Sequence, residues 1–256
     1  LQNPKGDIVM KQVIILLCIM LIATLAFAHT YESPMQLYHA NYFILGDEQD
    51  QVKFQVSAKY NLIYPSNIGV WVAYTQKAFW HLYDSSAPFW EFNHEPEVFW
   101  CFESKKNIFN VDTGLLDYIQ LSPWYHKSNG RDGEESRSMN LYYAEMQLSV
   151  GQVYNVGVMG KVFAYHDVSS KNKDIEDYLG KCEGMIFFQL KSKTVEYFDK
   201  EKIYIKGGGN VETKKGWIEG GAKVRLLTTL FQPFLYVQVF HGYGEAMINY
   251  NKKDTA

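Results

Sequence analysis

Apolar and polar residues alternate with a period of two along much of the chain. The clearest runs are VKFQVSAKY at 52–60, YYAEMQLSV at 142–150 and FLYVQV at 234–239. In a strand such a run turns its apolar side chains to one face and its polar side chains to the other. Eight further segments between polar turns are strand candidates: 41–46, 67–80, 92–103, 114–126, 152–165, 178–192, 194–206 and 215–227. With no convincing helix, the sequence predicts an all-β chain of about eleven strands.

The alternation slips once, around Pro123 in the segment 114–126. Proline lacks the N–H that a sheet ladder needs, and within sheets it is confined to edges and bulges. We therefore predict a β-bulge at this point.

Two all-β architectures fit this pattern, a soluble β-sandwich and a membrane barrel. Many of the runs approach the roughly 10 residues that a tilted strand needs to span a bilayer. Short turns such as 149–152 occur beside longer polar ones at 82–91, 128–136 and 166–177, an asymmetry typical of outer-membrane barrels. Aromatic residues make up 16% of the chain, with 19 Tyr, as in proteins that place aromatic girdles at membrane interfaces. We predict an antiparallel transmembrane β-barrel and keep the sandwich as the alternative.

One long apolar run, MKQVIILLCIMLIATLAFA at 10–28, precedes the strands. Its basic start, its apolar middle and its small-x-small end at Ala26-Phe27-Ala28 predict a secretory signal peptide. A transmembrane anchor is the alternative. Residues 1–9 would then lie upstream of the start methionine, and residues 29–256 would form the barrel domain.

The strand count raises one difficulty for a barrel. Bacterial single-chain barrels have an even number of strands, whereas the eleventh run is followed only by a polar, turn-like end, NYNKKDTA. We expect that the last strand is missing from this chain and that the barrel domain is incomplete at its C-terminus.

Charge and cysteine content exclude some classes of function. The net charge of −3 gives no basic footprint for nucleic acid. Removal of the signal peptide leaves Cys101 and Cys182, which lie in different strand candidates far apart in sequence. We expect both to be free, buried thiols, and no CxxC-type metal spacing is present.

The stretch YHKSNGRDGEESRSMN at 125–140 holds the candidate chemistry. Residues two apart in a strand point to one side, so His126 and Ser128 share a face. Asn140 falls on the face of Tyr142 and Met146, the apolar side that faces lipid. A serine nucleophile needs a base, and the base needs a partner that fixes its orientation. Ser128, His126 and Asn140 can supply those roles; an ordinary polar turn at a barrel rim is the alternative.

These residues resemble the active-site region of the outer membrane phospholipase A family, whose pattern is roughly H-x-S-N-G-R, a short insert and S-R-S-x-N. Other segments are similar to that family in the same order: DEQDQVKFQVSA at 47–58, YTQKAFW at 74–80, SSAPFWEFNHEPEVF at 85–99 and HGYGEAMINYN at 241–251. The resemblance covers about residues 37–251.

The resemblance implies a twelve-stranded barrel in the bacterial outer membrane that hydrolyses acyl esters of phospholipids (A1, A2 and lysophospholipase type). Such enzymes depend on calcium and are active as homodimers and monomeric at rest. Ser128 would be the nucleophile, His126 the general base and Asn140 its orienting partner. The Gly130 N–H would line the oxyanion hole. The active site would lie at the outer-leaflet rim.

The resemblance also implies a calcium site. Its ligands would be the backbone carbonyl of Arg131, the side chain of Ser136 and Ser86 of the partner subunit, with Ser85 one residue away. The turn holds Asp132, Glu134 and Glu135, but Gly133 stands where another acid is expected. We therefore expect an altered calcium affinity.

Gln76 faces outward by alternation, together with Val70, Val72 and Tyr74. An amide is costly in lipid, so we expect Gln76 to bond across a dimer interface, as the resemblance implies, or to be hydrated near the rim. The alternative function is a passive structural barrel or channel, catalytically inactive or truncated. Its lumen would be lined by Lys53, Lys59, Glu145 and Gln147, and a small barrel filled by such side chains would conduct poorly.

Overall fold

A computed structural model of the chain describes residues 34–46, 52–63, 68–103, 115–151, 154–190, 202–225 and 234–256. The predicted signal peptide at 10–28 lies outside the described residues. Among the described residues, no helix is both long enough and apolar enough to cross a membrane.

The described residues contain thirteen strands in one antiparallel sheet. They are β1 (Met35–Leu37), β2 (Tyr42–Leu45), β3 (Val52–Asn61), β4 (Ile68–Trp80), β5 (Phe89–Glu103), β6 (Leu116–Ser128), β7 (Ser138–Val150), β8 (Tyr154–Val168), β9 (Cys182–Leu190), β10 (Lys202–Asn210), β11 (Lys215–Arg225), β12 (Phe234–Tyr243) and β13 (Lys253–Thr255). A one-turn helix, α1 (Ile175–Leu179), precedes β9.

The sheet runs in chain order and curls into a barrel. From β3 to β12 each strand pairs with the next, β1 and β2 both pair with β3, and β13 pairs with β12. The two ends of the sheet meet where Tyr42 of β2 stacks on Tyr236 of β12, with ring centroids 5.1 Å apart. The predicted antiparallel β-barrel is thus confirmed.

The two faces of the barrel differ as the alternation predicts. On β3 the polar side chains of Lys53 and Ser57 are buried inside the barrel, whereas Tyr60 is exposed on the outside. On β12 the apolar side chains of Leu235, Val237 and Val239 are exposed outward. A strand turns successive side chains to opposite faces, so one face meets lipid and the other meets the interior.

Polar side chains fill the interior by pairing with one another. Tyr118 donates a hydrogen bond to Glu145 at 2.6 Å, and Gln147 donates to Asp117 at 3.0 Å. Lys161 lies 3.8 Å from the Glu145 carboxylate. Buried polar groups are costly unless they are paired, and these pairs allow a polar lumen to be packed.

The bulge predicted at Pro123 is present. Ser122 pairs with Tyr143, but Tyr125 pairs with Leu141, so β6 contains one residue more than β7 over this stretch. The extra residue reverses the alternation in the rest of β6.

Several elements differ from the prediction. Helix α1 occupies part of the segment 166–182, and β9 begins at Cys182 rather than at 178. Strand β10 spans Lys202–Asn210 instead of 194–206, and the first part of the predicted segment lies outside the described residues. Strands β1 and β13 were not predicted, because three residues are too few to show a period. The same is true of a single helical turn.

The prediction for the cysteines was half wrong. Neither Cys101 nor Cys182 forms a disulfide, and Cys101 is buried, but Cys182 is exposed. Cys182 is the first residue of β9 and shares the outward face with Ile186, so it lies on the lipid side of the wall.

The segment 244–252 packs into the barrel end that also holds the turns 81–88, 129–137 and 169–181. Glu245 forms ion pairs with Lys53 and with Lys77, the latter at 3.3 Å. The backbone N–H groups of Met247 and Ile248 donate to the Glu91 carboxylate. These residues, which precede the predicted polar end NYNKKDTA, therefore join β12 to β3, β4 and β5. The expected absence of a closing strand stays a prediction.

Candidate active site

Strands β6 and β7 bring His126 and Asn140 into direct contact. The two residues are register partners, and His126 Nδ1 lies 2.9 Å from Asn140 Oδ1. An amide oxygen can only accept, so this contact places the proton on Nδ1 and leaves Nε2 free to act as a base. The bulge at Pro123 is the reason that His126 faces outward; with unbroken alternation it would face the lumen.

Ser128 ends β6 on the same outward face as His126. It pairs with Ser138 on one side and with His94 on the other. Its hydroxyl oxygen accepts a hydrogen bond from the Gly130 N–H at 3.1 Å. Among the described residues, no hydrogen bond joins Ser128 Oγ to His126. Catalytic hydrogen bonds are often long in free enzymes and tighten when substrate binds.

The turn after Ser128 is held from within by Asn129, which is buried. The Asn129 amide donates to the Glu135 carbonyl at 2.8 Å, and its Oδ1 accepts the Arg137 N–H at 2.9 Å. Gly130 has φ of 64°, a left-handed conformation that glycine adopts without strain. This conformation directs the Gly130 N–H toward Ser128 Oγ, as the predicted oxyanion donor requires.

The predicted calcium ligands of the turn are both unengaged. Among the described residues, neither the Arg131 carbonyl nor the Ser136 hydroxyl takes part in a hydrogen bond. Carbonyl and hydroxyl oxygens are donors that suit calcium, and two such donors leave further positions for water or a second chain. The chemistry of the donor set therefore fits the ion.

Two of the three acidic side chains in the turn, Glu134 and Glu135, form ion pairs. Glu135 pairs with Arg131, and Glu134 pairs with Lys171 of the neighbouring 169–181 turn. The hydrogen bond from Lys171, together with its charge, lowers the pKa of the Glu134 carboxyl. The described residues contain no group of three or more His, Cys, Asp or Glu side chains placed to hold a metal, so carboxylates do not form a ready site.

The two residues expected to meet a partner subunit both lie on the outer surface. Ser86 is exposed in the 81–88 turn between β4 and β5. Gln76 lies on the outward face of β4, between its register partners Val56 and His94. Since His94 pairs with Ser128, Gln76 is two strands away from Ser128.

Sequence reasoning missed three neighbours of the triad. Trp124 stacks near His126 with ring centroids 6.2 Å apart and an interplanar angle of 10°. His94 Nδ1 lies 2.7 Å from the Tyr74 hydroxyl. Asp167 on β8 accepts a hydrogen bond from Asn140 Nδ2 at 3.1 Å. Alternation alone assigns Asp167 to the lumen, and no residue near it marks a break in the pattern.

The sequence and the fold both match known proteins. Residues 12–256 match the model of a family described as Phospholipase A1. The phospholipase A1 of Escherichia coli strain K12 is 32% identical over 213 residues, which cover 81% of this chain and 67% of that protein.

Solved structures give the same result. The Salmonella typhi outer membrane phospholipase dimer with bound calcium matches with a TM-score of 0.65 and 30% identity, over 80% of this chain and 75% of that one. An active-site mutant of E. coli outer membrane phospholipase A matches with a TM-score of 0.71 and 28% identity, over 89% and 91%.

Proposed function

Because this chain belongs to the phospholipase A1 family, we propose that it hydrolyses phospholipid acyl esters with a Ser128–His126–Asn140 triad. Family membership makes it a phospholipase of the bacterial outer membrane. The observation that supports the triad is the 2.9 Å contact between His126 Nδ1 and Asn140 Oδ1 on the outward face.

In the first half-reaction Ser128 Oγ attacks the ester carbonyl carbon while His126 Nε2 takes the hydroxyl proton. The carbonyl oxygen becomes an oxyanion that accepts a hydrogen bond from the Gly130 N–H. When the intermediate collapses, the C–O bond to the glycerol backbone breaks, and the lysophospholipid leaves with the proton from His126. Water then attacks the acyl-serine carbonyl carbon while His126 takes its proton. The C–O bond to Ser128 breaks, His126 returns the proton to Ser128 Oγ, and the fatty acid is released.

The outward position of the site is what a phospholipase needs. Polar and ionisable groups on the lipid side are costly and mark function. Here the substrate is the surrounding bilayer, so a nucleophile on the outer wall meets it without a pore. Trp124 and Tyr142 flank the site on the same face and are exposed, as aromatic residues at a membrane interface are.

We further propose that calcium is held by the Arg131 carbonyl, the Ser136 hydroxyl and Ser86 of the partner subunit. The Salmonella typhi relative is a dimer with bound calcium. When bound, the ion supplies positive charge that stabilises an oxyanion. Gln76 would bond across the dimer interface, where an outward amide finds a partner. The site is then complete only in the active homodimer, and the monomer is the resting form.

The test measures fatty-acid release from phospholipid in mixed micelles by the refolded chain, with calcium and with chelator. We expect chelation to abolish activity and Ser128→Ala to lower kcat by about 10³-fold or more. Ser170→Ala is the matched control, since Ser170 is exposed and lies in the neighbouring turn. If Ser128→Ala and Ser170→Ala hydrolyse at the same rate, the nucleophile is wrongly assigned.

The alternative of a passive channel finds no support in the described part of the barrel. Its interior is occupied by paired side chains such as Lys53 with Glu245 and Tyr118 with Glu145. Fatty-acid release that requires Ser128 would exclude a purely passive role.

A further inference from the structure

Strand β8 contains a bulge next to the triad. Asn140 pairs with Asp167, but Leu141 pairs with Tyr165. His166 is therefore the extra residue, and both His166 and Asp167 are exposed. Bulges often occur beside active sites, where they redirect a side chain.

The bulge turns Asp167 toward Asn140. Tyr154, Val156, Val158 and Val162 show that even-numbered residues of β8 face outward, so unbroken alternation would direct Asp167 into the lumen. With the bulge, Asp167 Oδ2 accepts the Asn140 Nδ2 hydrogen at 3.1 Å. The His166 ring stacks on Tyr142, with centroids 4.4 Å apart, which packs the extra residue against β7.

A carboxylate on the outer wall is an expensive placement unless it has a role. Among the described residues, Asp167 forms no ion pair, and its polar contact is with the Asn140 amide. That amide has two ends, and its other end contacts His126 at 2.9 Å. Asp167, Asn140 and His126 thus form one line of hydrogen bonds.

We propose that Asp167 is a positioning residue of the triad, which acts on His126 through the Asn140 amide. This inference rests on the proposed function. An ionised carboxylate can only accept hydrogen bonds, so Asn140 must present its NH₂ group to Asp167 and its oxygen to His126. If the amide flipped, its NH₂ group would face the Nδ1–H of His126 and the base would lose its acceptor.

The carboxylate also compensates for a neutral third residue. During the reaction His126 becomes positively charged, and an amide offers only a dipole to stabilise that charge. Asp167 adds a full negative charge one side chain further away, and hydrogen bonds in such chains polarise one another. No proton moves to Asp167.

The test compares Asp167→Ala and Asp167→Asn in the refolded full chain, with folding checked by gel mobility before and after heating. We expect Asp167→Ala to lower kcat by about 10- to 100-fold with KM nearly unchanged, the loss typical of an outer-shell partner. Asp167→Asn can still accept from Asn140, so it should recover part of kcat. Because its charge is gone, the acidic limb of its kcat/KM profile should move to lower pH. Asp177→Asn removes the charge of an exposed side chain of helix α1, at the same barrel end, and should change neither quantity.

A double-mutant cycle tests the route of action. In an Asn140→Ala background, Asp167→Ala should cause no further loss. An equal loss in both backgrounds, or an unchanged kcat in folded Asp167→Ala, would overturn the inference. The proposed function is judged separately by Ser128→Ala. If that variant is inactive while the Asp167 variants keep full activity, only the role of Asp167 is wrong.

Discussion

At the scale of single residues, the candidate site depends on the direction in which each hydrogen-bonding group points. Asn140 holds His126 with its oxygen and Asp167 with its nitrogen, so one amide serves two neighbours. Gly130 presents its N–H to Ser128 Oγ at 3.1 Å. Neither arrangement needs a metal to form, so the geometry of the proposed triad does not depend on the proposed calcium ion.

Gly130 and Gly133 make a matched pair for testing the oxyanion donor. Both have φ of 64°, so an alanine at either position pays a similar backbone cost of about 1 kcal/mol. A Cβ on Gly130 would lie 3.1 Å from His94 Nε2, whereas one on Gly133 would meet nothing within 4 Å. We expect Gly130→Ala to lower kcat by about 10-fold or more, because the N–H must shift.

Gly133→Ala should keep its activity while losing similar stability. Fatty-acid release measures the first quantity, and the denaturant midpoint measures the second. Equal activity of the two folded variants would show that the Gly130 N–H is not an oxyanion donor.

At the scale of strands, two bulges determine that the side chains of the candidate site face outward. The one at Pro123 turns His126 and Ser128 outward on β6, and the one at His166 turns Asp167 outward on β8. Strand β7 lies between them in regular alternation and presents Asn140. The line of hydrogen bonds from Asp167 through Asn140 to His126 therefore lies on the lipid face, because a bulge interrupts the alternation of side chains in both β6 and β8.

This difference explains how much could be predicted. Proline cannot donate to the ladder, so Pro123 marks its bulge in the sequence. His166 can donate to the ladder like most residues, so nothing in the sequence marks its bulge. That bulge follows from the register between β7 and β8, which a single sequence does not show. The face of His126 and Ser128 could thus be predicted, and the contact of Asp167 with Asn140 could not. Likewise, period two identified the long strands but not α1 or the three-residue strands.

The outward face of β9 gives a chemical test of strand orientation. Cys182 is exposed at the start of β9, and Cys101 is buried within β5. We expect an apolar maleimide to modify Cys182 in the folded barrel and Cys101 only after unfolding, because only the thiol on the outer wall is accessible. Peptide mass spectrometry measures both, with Cys182→Ser as the control. Rapid labelling of Cys101 in the folded protein would mean that β5 is assigned to the wrong face.

At the scale of the whole molecule, Glu245 holds the first and last parts of the barrel together. Burial raises the pKa of its carboxyl, but the charges of Lys77 and Lys53 outweigh burial and lower the pKa to about 2. A carboxyl whose folded pKa lies below its ordinary value contributes stability above that ordinary value. The contribution is lost as pH falls toward the folded pKa.

We therefore expect the denaturant midpoint to fall between about pH 4.5 and pH 2. Glu245→Gln should lower stability by about 3 kcal/mol at neutral pH, because the buried Lys53 and the partly buried Lys77 lose their shared partner, and it should flatten the acid dependence. Glu212→Gln, an exposed acid in the 211–214 turn, is the control. An unchanged acid profile in Glu245→Gln would show that other carboxyls set the acid limit.

The Lys53–Glu245 pair also affects the order of events during folding. It joins residues separated by 192 positions, and contacts so distant in sequence are slow to form because a long loop must close first. Neighbouring strands can pair as hairpins while the chain is still open. The barrel end that holds the candidate site gains these contacts only when the segment 244–252 docks on β3, β4 and β5. A newly exported chain should thus pass through a stage in which its strands are paired but inactive, and hydrolysis should begin only after this segment has docked.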